Sequence, residues 1–234
     1  MKVFKTIVNA LFPRKCVSCG ALVGQDDYLC EYCNEMLDTI NYSKICLRCG
    51  LDKKNCDCKS VVFHFAGCVA PFVNKDQAKE AMYRFKFSKN FSSAQFFANE
   101  MAKTVKTVYN DIVFDGIDFV PMVTRKQLKR GFNQSEVLAV KLAEILNIKV
   151  YQNLLKAKYV STTQHKLTLK ERFKNVKGMY SANYKVTGKT ILLVDDIKTT
   201  GATLDECAKQ LLLAGADNVY CISGVITNSK KGKK

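Results

Sequence analysis

Apolar residues recur along most of the chain with two spacings, one typical of strands and one typical of helices. Strand-like segments, rich in β-branched and aromatic residues or forming short buried runs, are 61–70, 117–121, 148–151, 189–195 and 219–225. Segments with helical spacing are 75–87, 92–109, 132–146 and 201–214. Because strands alternate with helices, the pattern predicts an α/β domain with a mostly parallel sheet and flanking helices.

Three stretches depart from this alternation. Residues 1–13 have helical spacing and end at Pro13, which predicts a short packing helix. Residues 158–177 are polar and basic with little periodicity, which predicts a long loop or hinge. We expect a cysteine-rich module over 1–60, the α/β domain over 61–228 and a basic tail over 229–234.

Eight of the 11 cysteines lie between Cys16 and Cys58, and this density predicts a metal site. They form three CxxC pairs and one CxC pair: Cys16/Cys19, Cys30/Cys33, Cys46/Cys49 and Cys56/Cys58. Since Zn²⁺ takes four thiolates, two pairs make one closed structural site, and about two zinc ions are expected. Sequential pairing gives Cys16/Cys19/Cys30/Cys33 and Cys46/Cys49/Cys56/Cys58, and interleaved pairing stays open. A disulfide framework and an iron–sulfur cluster are the alternatives.

Charge is concentrated in the middle of the chain. The whole chain has a formal charge of +16, and residues 121–178 alone carry 13 Lys and Arg against 3 Asp and Glu. Such a segment favours a polyanion or a phosphorylated ligand, against the alternative of a solvated basic surface. Lys5 and Asn9 interrupt the first apolar run, so we expect no signal peptide and a cytoplasmic location. No apolar run is long enough to span a membrane.

The strongest chemical signal is the segment ILLVDDIKTTGAT, residues 191–203. Asp195 and Asp196 end a buried strand, and ligands of open α/β sheets bind beyond that end. The loop from Lys198 through Thr199, Thr200, Gly201 and Ala202 to Thr203 then enters a helix, whose N-terminus favours a phosphate. Paired carboxylates can accept hydrogen bonds from sugar hydroxyls or hold Mg²⁺, so a ribose 5-phosphate suits both halves. The alternative is an acid pair that caps the next helix.

These residues carry a resemblance to a known family. VDDIKTTGAT, residues 194–203, resembles the signature of type I phosphoribosyltransferases, which bind 5-phosphoribosyl pyrophosphate (PRPP). The whole chain is similar to the ComF family of competence proteins, through the cysteine module preceded by Leu11-Phe12-Pro13 and through PMVTRKQLKRGFNQ at 121–134. TQHKLTLKERFKNVKG at 163–178 also has the spacing of that family.

The resemblance implies roles for individual residues. Asp195 and Asp196 would hold the ribose hydroxyls, and residues 199–203 the 5′-phosphate. Arg125, with Lys129 or Arg130, would lie near pyrophosphate and Mg²⁺. The segment near 158–175, which contains the nucleic-acid or phosphate candidates Lys158, Lys166 and Arg172, would close over the ligand. Lys156 and Lys158 stand where the resemblance implies arginines, and lysine cannot form the same bidentate contact.

Three functions follow as hypotheses. The first, implied by the family, is handling of incoming single-stranded DNA in natural transformation, with Phe132, Tyr159 and Phe173 among the cations as stacking candidates or as core. The second is a working phosphoribosyltransferase or a PRPP hydrolase that uses Mg²⁺ and has an unknown acceptor. The third is a scaffold whose zinc module docks a DNA-uptake helicase or recombination protein.

Overall fold

The structure is a computed structural model that describes residues 13–56, 58, 61–87, 91–123, 131–158 and 169–227. Its strands are β1 (Gly67–Val69), β2 (Phe72–Val73), β3 (Gly116–Phe119), β4 (Leu155–Ala157), β5 (Tyr180–Ala182), β6 (Thr190–Lys198) and β7 (Asn218–Ile226). Its α-helices are α1 (Glu31–Glu35), α2 (Asp76–Phe87), α3 (Phe91–Val108), α4 (Gln134–Leu146), α5 (Leu169–Val176) and α6 (Ala202–Leu213). The expected helix at 1–13 and the basic tail fall largely outside the described residues.

A parallel sheet forms the centre of the molecule. Its strand order is β1-β7-β6-β3, and β2 also pairs with β7. β6 is buried on both faces, because Leu192 and Val194 face one core cluster while Ile191 and Leu193 face the other. This placement explains why β6 reads as a continuous apolar run. The expected α/β fold with a parallel sheet is confirmed.

Helices cover both faces of this sheet. Helices α2, α3 and α4 contribute to the cluster that contains Leu192, whereas α6 and the antiparallel β4–β5 pair contribute to the cluster that contains Leu193. Helix α4 begins after Asn133, whose side chain accepts a hydrogen bond from Ser135 N at 3.1 Å, and it ends at the left-handed Asn147. Because β3, β6 and β7 are parallel neighbours, their carboxyl ends meet at one edge of the sheet.

The cysteine-rich segment docks on the edge strand of the sheet. Cys68 N donates a hydrogen bond to Leu47 O at 2.9 Å, and Ile40 N donates to Pro71 O at 3.0 Å. Thr39 and Phe72 form an isolated antiparallel bridge. Residues 38–47 thus cover much of the hydrogen-bonding edge of β1 and β2.

Three local expectations are corrected by the structure. The strand expected at 61–70 is limited to β1, because residues 61–66 are irregular and use their aromatic side chains for packing. The edge strand expected at 148–151 is a single parallel bridge from Val150 to Ile117. The loop expected at 158–177 contains helix α5 in its second half, while 159–168 lie outside the described residues. Among the described residues, no helix has the length and apolar character needed to cross a bilayer.

Candidate functional site

The two aspartates predicted to bind a sugar lie at the carboxyl end of β6, but their surroundings differ. Asp195 is buried, and its Oδ1 accepts hydrogen bonds from Ser135 Oγ at 3.0 Å and from Asp196 N at 2.9 Å. Ser135 lies in the first turn of α4. Helix α4 therefore fixes the first carboxylate of the pair.

Asp196 has a partner that the sequence did not reveal. Its Oδ2 lies 2.7 Å from Lys86 Nζ, near the end of α2, and both side chains are more than four-fifths buried. A largely desolvated ion pair is stronger than one in water, and it balances one of two adjacent negative charges. The YRFKF stretch of α2 has no recognisable ligand motif, so only the tertiary structure could identify Lys86 as part of the site.

The surroundings of Asp195 also shift its pKa. Burial, together with the neighbouring charge of Asp196, raises the pKa of Asp195 to about 7. Hydrogen bonds from Ser135 and Asp196 N and the charge of Lys86 act in the opposite direction. Asp195 therefore changes its charge near neutral pH, and a ligand that donates hydroxyl hydrogen bonds or brings a cation favours its ionised form.

The loop after β6 leads directly into helix α6. Gly201 caps the helix with a φ of +84°, which glycine adopts without steric cost, and Thr200 Oγ1 accepts a hydrogen bond from Ala202 N at 3.3 Å. The backbone N–H groups of the first turn of a helix attract anions, and α6 is 12 residues long. The predicted phosphate loop therefore has the backbone conformation that its sequence suggested.

Lys198 lies beneath this loop. Its side chain is only 2% exposed, and its Cε lies 3.2 Å from the position that a Cβ on Gly201 would occupy. Phe63 Cε1 approaches the same position to 3.3 Å. A larger residue at position 201 would therefore collide with the support of the loop, and Lys198 contributes a cation from below.

The segment that links the cysteine module to the sheet also packs beside the loop. His64 N donates a hydrogen bond to Asp205 Oδ1 at 2.6 Å, and its Nδ1 lies 3.1 Å from Asp205 Oδ2. His64 is thus paired with the first turn of α6. Arg48 Nη2 reaches Phe63 O at 3.4 Å, so the second cysteine cluster connects to the same segment.

Helix α5 lies on the other side of the loop. Arg172 Nη1 is 3.5 Å from Thr199 Oγ1, and the ring of Phe173 lies 6.1 Å from that of Phe63. Gly178 N donates a hydrogen bond to Glu206 Oε1 at 2.9 Å and so joins the end of this segment to α6. The candidate cation Arg172 is therefore brought to the loop, while Lys158 is an exposed residue just after β4.

Five residues singled out from the sequence lie outside the described residues: Arg125, Lys129, Arg130, Tyr159 and Lys166. Phe132 is half-buried against Phe85, with ring centroids 5.8 Å apart, and Phe173 is half-buried against Phe63. These two aromatic residues therefore serve packing, the alternative named for them from the sequence.

The eight clustered cysteines form two separate groups. In each group the four sulfur atoms lie within 4.8 Å of one another, and the groups are Cys16/Cys19/Cys30/Cys33 and Cys46/Cys49/Cys56/Cys58. The Sγ–Sγ distances are 3.7 Å for Cys19–Cys30, 3.8 Å for Cys46–Cys58 and 3.7 Å for Cys49–Cys56. Zn–S bonds of about 2.3 Å at tetrahedral angles place sulfurs about 3.8 Å apart, and disulfide sulfurs lie about 2 Å apart. The sequential pairing therefore fits two closed zinc sites.

The thiols within each group differ in pKa, since burial raises the pKa of Cys33 to about 12 and that of Cys49 to about 11, whereas one thiol of each group is shifted the other way. Burial acts to raise the pKa of Cys16, but hydrogen bonds from the backbone of Cys19, Cys30 and Ser18 outweigh it and lower that pKa to about 6. The pKa of Cys46 is lowered to about 7 by the same balance, with backbone bonds from Cys49 and Arg48. Cys68, Cys207 and Cys221 are fully buried in the sheet core, as expected for structural thiols.

Comparisons with known proteins agree with both halves of the chain. A double zinc ribbon domain model matches residues 7–61, and a phosphoribosyl transferase domain model matches residues 132–234. Competence protein F of Haemophilus influenzae is 25% identical over 210 residues, which are 87% of this chain and 86% of that protein. Competence protein ComFC of Bacillus subtilis is 31% identical over 144 residues, which are 62% of this chain and 57% of that protein.

A further group of relatives bears a name that refers to DNA. The DNA utilization protein YhgH of Escherichia coli (strain K12) is 34% identical over 110 residues. The match covers 46% of this chain and 48% of that protein, so the chain spans about half the length of these relatives.

Proposed function

The chain joins a double zinc ribbon to a phosphoribosyltransferase domain and is homologous to the ComF competence proteins, and from this premise we propose that it handles incoming single-stranded DNA in natural transformation. The proposal includes a PRPP-binding site at the carboxyl end of β6. Such DNA enters the cytoplasm, where we place the protein. The proposed DNA partner accords with the names of the relatives and with the charge of +16.

One observation carries the ligand part of the proposal. Asp195 and Asp196 lie at the end of β6, and the same chain continues without interruption into the loop 199–203 and the N-terminus of α6. Carboxylates suit ribose hydroxyls, and the helix N-terminus suits the 5′-phosphate. Lys86 and Ser135 hold the carboxylates in place, while Arg172 and Lys198 add positive charge around the loop.

A magnesium ion would be bound together with PRPP. Carboxylate, hydroxyl and phosphate oxygens are the ligands that Mg²⁺ prefers, and Asp195 and Asp196 would offer the protein oxygens. When bound, the ion would neutralise charge on the pyrophosphate. Lys86 holds the Asp196 carboxylate through their ion pair, and Ser135 orients Asp195 by its hydrogen bond.

The test of the ligand site is a titration of Mg-PRPP followed by calorimetry. The double variant Asp195→Asn and Asp196→Asn removes two charges with little change in volume, and we expect it to lose at least about 100-fold in affinity. The control variant Asp111→Asn and Asp217→Asn removes two exposed carboxylates and should bind like the wild type. Equal PRPP affinity in the wild type and the Asp195/Asp196 variant would refute the ribose assignment.

The test of the DNA part is fluorescence anisotropy of a labelled single strand at about 0.15 M salt, with and without Mg²⁺ and PRPP. We expect binding that weakens steeply as salt rises, because phosphate contacts release counterions. The Asp195/Asp196 variant should retain this binding. A change in DNA affinity on adding PRPP would indicate that the two sites are coupled.

Turnover of PRPP is the second candidate function. The intact loop and the unequal environments of Asp195 and Asp196 favour it, because a cationic transition state on ribose is stabilised by adjacent carboxylates. Release of pyrophosphate from Mg-PRPP, with and without candidate acceptors, measures this activity directly. Binding without release would leave PRPP as a ligand of the DNA-handling protein.

A further inference from the structure

Helix α2 exposes two aromatic side chains on its outer face. Its inner face packs Ala81, Met82 and Phe85 into the core. Tyr83 and Phe87 lie one turn apart, each is 57% exposed, and their ring centroids are 4.7 Å apart. Two large exposed rings in contact with each other exceed what packing of the helix requires.

A cavity opens beside this aromatic pair. Its volume is about 410 Å³, within the range of about 300–1,000 Å³ that is common for small-molecule pockets. Its wall is mostly apolar, with a few polar groups at the edge. Its lining includes Asn74, Lys79, Met82, Tyr83, Lys86 and Ile197. The Glu80 carboxylate, which also lies at the edge, is 3.7 Å from Arg84 Nε.

The polar groups at the edge suit a nucleotide. Asn74 Nδ2 donates a hydrogen bond to Thr227 Oγ1 at 3.0 Å, whereas Asn74 Oδ1 is buried without a hydrogen-bond partner among the described residues. Lys79 is exposed at the edge and can contact a phosphate.

The cavity shares the side chain of Lys86 with the proposed ribose site. Lys86 lines the cavity and also lies 2.7 Å from Asp196, and Ile197 follows Asp196 on β6. A nucleotide strand that crosses α2 would therefore pass directly beside the PRPP-binding residues. This proximity gives a physical route by which PRPP and DNA could affect each other.

We propose that Tyr83, Phe87 and the adjoining cavity bind bases of single-stranded DNA. Exposed aromatic rings stack on any unpaired base, and nearby lysines contact the phosphates. Duplex DNA does not offer unstacked base faces, so the surface selects single strands. The proposal rests on the DNA-handling function, and it names the surface that performs it.

The first experiment compares variants that remove the rings but keep apolar bulk. The double variant Tyr83→Leu and Phe87→Leu is tested by anisotropy with an oligonucleotide of about 20 nucleotides, at about 0.15 M salt. Loss of stacking by one or two bases predicts a decrease in affinity of about 10-fold to 100-fold. The control is Tyr32→Leu, because Tyr32 is 64% exposed on α1 of the first cysteine cluster. It should bind like the wild type.

An abasic strand separates stacking from charge. It keeps the phosphates, so we expect it to bind the wild type and the double variant equally and more weakly than the normal strand. Strong binding of normal DNA by the wild type with an unchanged affinity in the double variant would overturn the assignment of this surface and leave the DNA function standing. Absence of wild-type binding would overturn both.

A spectroscopic variant reports the contact itself. The chain has no tryptophan, so Tyr83→Trp introduces a single indole whose fluorescence is quenched when a base stacks on it. We expect quenching by the normal strand, little quenching by the abasic strand, and none in the Tyr32→Trp control. Unquenched emission from Trp in the first variant at saturating DNA would contradict the proposal.

Discussion

The two cysteine clusters share a ligand set but are attached differently to the phosphoribosyltransferase domain. The first cluster (Cys16/Cys19/Cys30/Cys33) contacts helices α2 and α3, through a hydrogen bond from Arg84 Nη2 to Cys19 O at 3.2 Å and through Tyr28 against Phe96. The second cluster (Cys46/Cys49/Cys56/Cys58) packs against the sheet itself, since Cys49 belongs to the core cluster that contains Leu193 and Leu47 O accepts the hydrogen bond from Cys68 N. The first cluster thus packs on helices, whereas the second also supports the edge of the sheet.

The largest expected difference comes from removing one ligand of each cluster. Cys49→Ser should release one zinc ion and lower the melting temperature by about 10 °C or more, because structural zinc contributes directly to folding and this site supports the sheet edge. Cys19→Ser should also release one zinc ion but lower the melting temperature by less than about 5 °C, because Cys19 is exposed and the first cluster packs on helices rather than on the sheet edge. Metal content and thermal unfolding by circular dichroism measure both effects.

The wild type should contain about two zinc ions per chain. A content near one or zero would contradict the reading of two sites. Equal decreases in melting temperature for the two variants would remove the distinction between them.

Glycine substitutions compare the turns that follow Cys19 and Cys49 without removing a zinc-binding cysteine. Gly50 has a φ of +73°, and an added Cβ would lie 2.7 Å from Cys68 O, a backbone atom that cannot move away easily. Gly20 has a φ of +84°, but its Cβ would meet only the end of the Arg84 side chain, at 3.0 Å. We expect Gly50→Ala to lower the free energy of unfolding by about 3 kcal/mol and Gly20→Ala by about 1 kcal/mol. Urea denaturation provides the values, and a larger effect at Gly20 would reverse the comparison.

The sheet should lose stability as the pH rises, because it buries a carboxyl group. Burial raises the pKa of Asp118 on β3 to about 7, and Phe119 N opposes the shift by a hydrogen bond. The folded pKa lies above the value of about 3.9 in the unfolded chain, so this contribution to stability is complete below about pH 4 and is lost as pH rises through about 7. Between pH 5 and 8, the free energy of unfolding should fall by on the order of 2 kcal/mol less in Asp118→Asn than in the wild type.

Thermal melts of the wild type and Asp118→Asn across this pH interval test the prediction, and Asp111→Asn, at an exposed position, is the control. Part of the slope should persist in Asp118→Asn, because Asp195 is shifted in the same direction. Identical slopes in the wild type and Asp118→Asn would show that the core carboxyl does not titrate as its burial implies.

The smallest expected effects concern PRPP affinity after substitution of two arginines, one beside each cysteine cluster. Arg48→Ala removes the contact with Phe63 O, so it should weaken PRPP binding about 2-fold to 5-fold by loosening the segment beside Gly201. Arg84→Ala removes the contact with Cys19 O and should leave PRPP affinity unchanged. Calorimetry on both variants would contradict this reading if Arg84→Ala had the larger effect.

The parts of the fold that depend on residues close together in the chain could be predicted from local sequence patterns. The run at 189–195 identified β6 because a strand buried on both faces has no polar alternation, and the CxxC spacing identified the metal turns because both thiolates come from one turn. Residues 61–66 were wrongly predicted as strand, because Phe63 and Phe65 are apolar in order to pack against the loop and the core. Their composition alone cannot distinguish these two uses.

In the candidate site too, residues that are contiguous in the chain could be found from the sequence, whereas residues from distant elements could not. Asp195, Asp196 and the loop 199–203 are contiguous, so a ribose-phosphate site could be proposed there from the sequence. Lys86 and Ser135 come from distant helices and have no motif, so only the folded sheet places them beside the carboxylates. The role of Arg125 as a pyrophosphate-binding residue stays a prediction.

The docking of residues 38–47 on β1 and β2 has a consequence for cells that are short of metal. An uncovered strand edge is a template onto which strands of other molecules can add. If the second cluster loses its ion, the segment that shields this edge loses its anchor, and the protein becomes prone to aggregate before it has fully unfolded. Metal supply would then determine how much of the newly made protein remains dispersed, independently of any ligand that it binds.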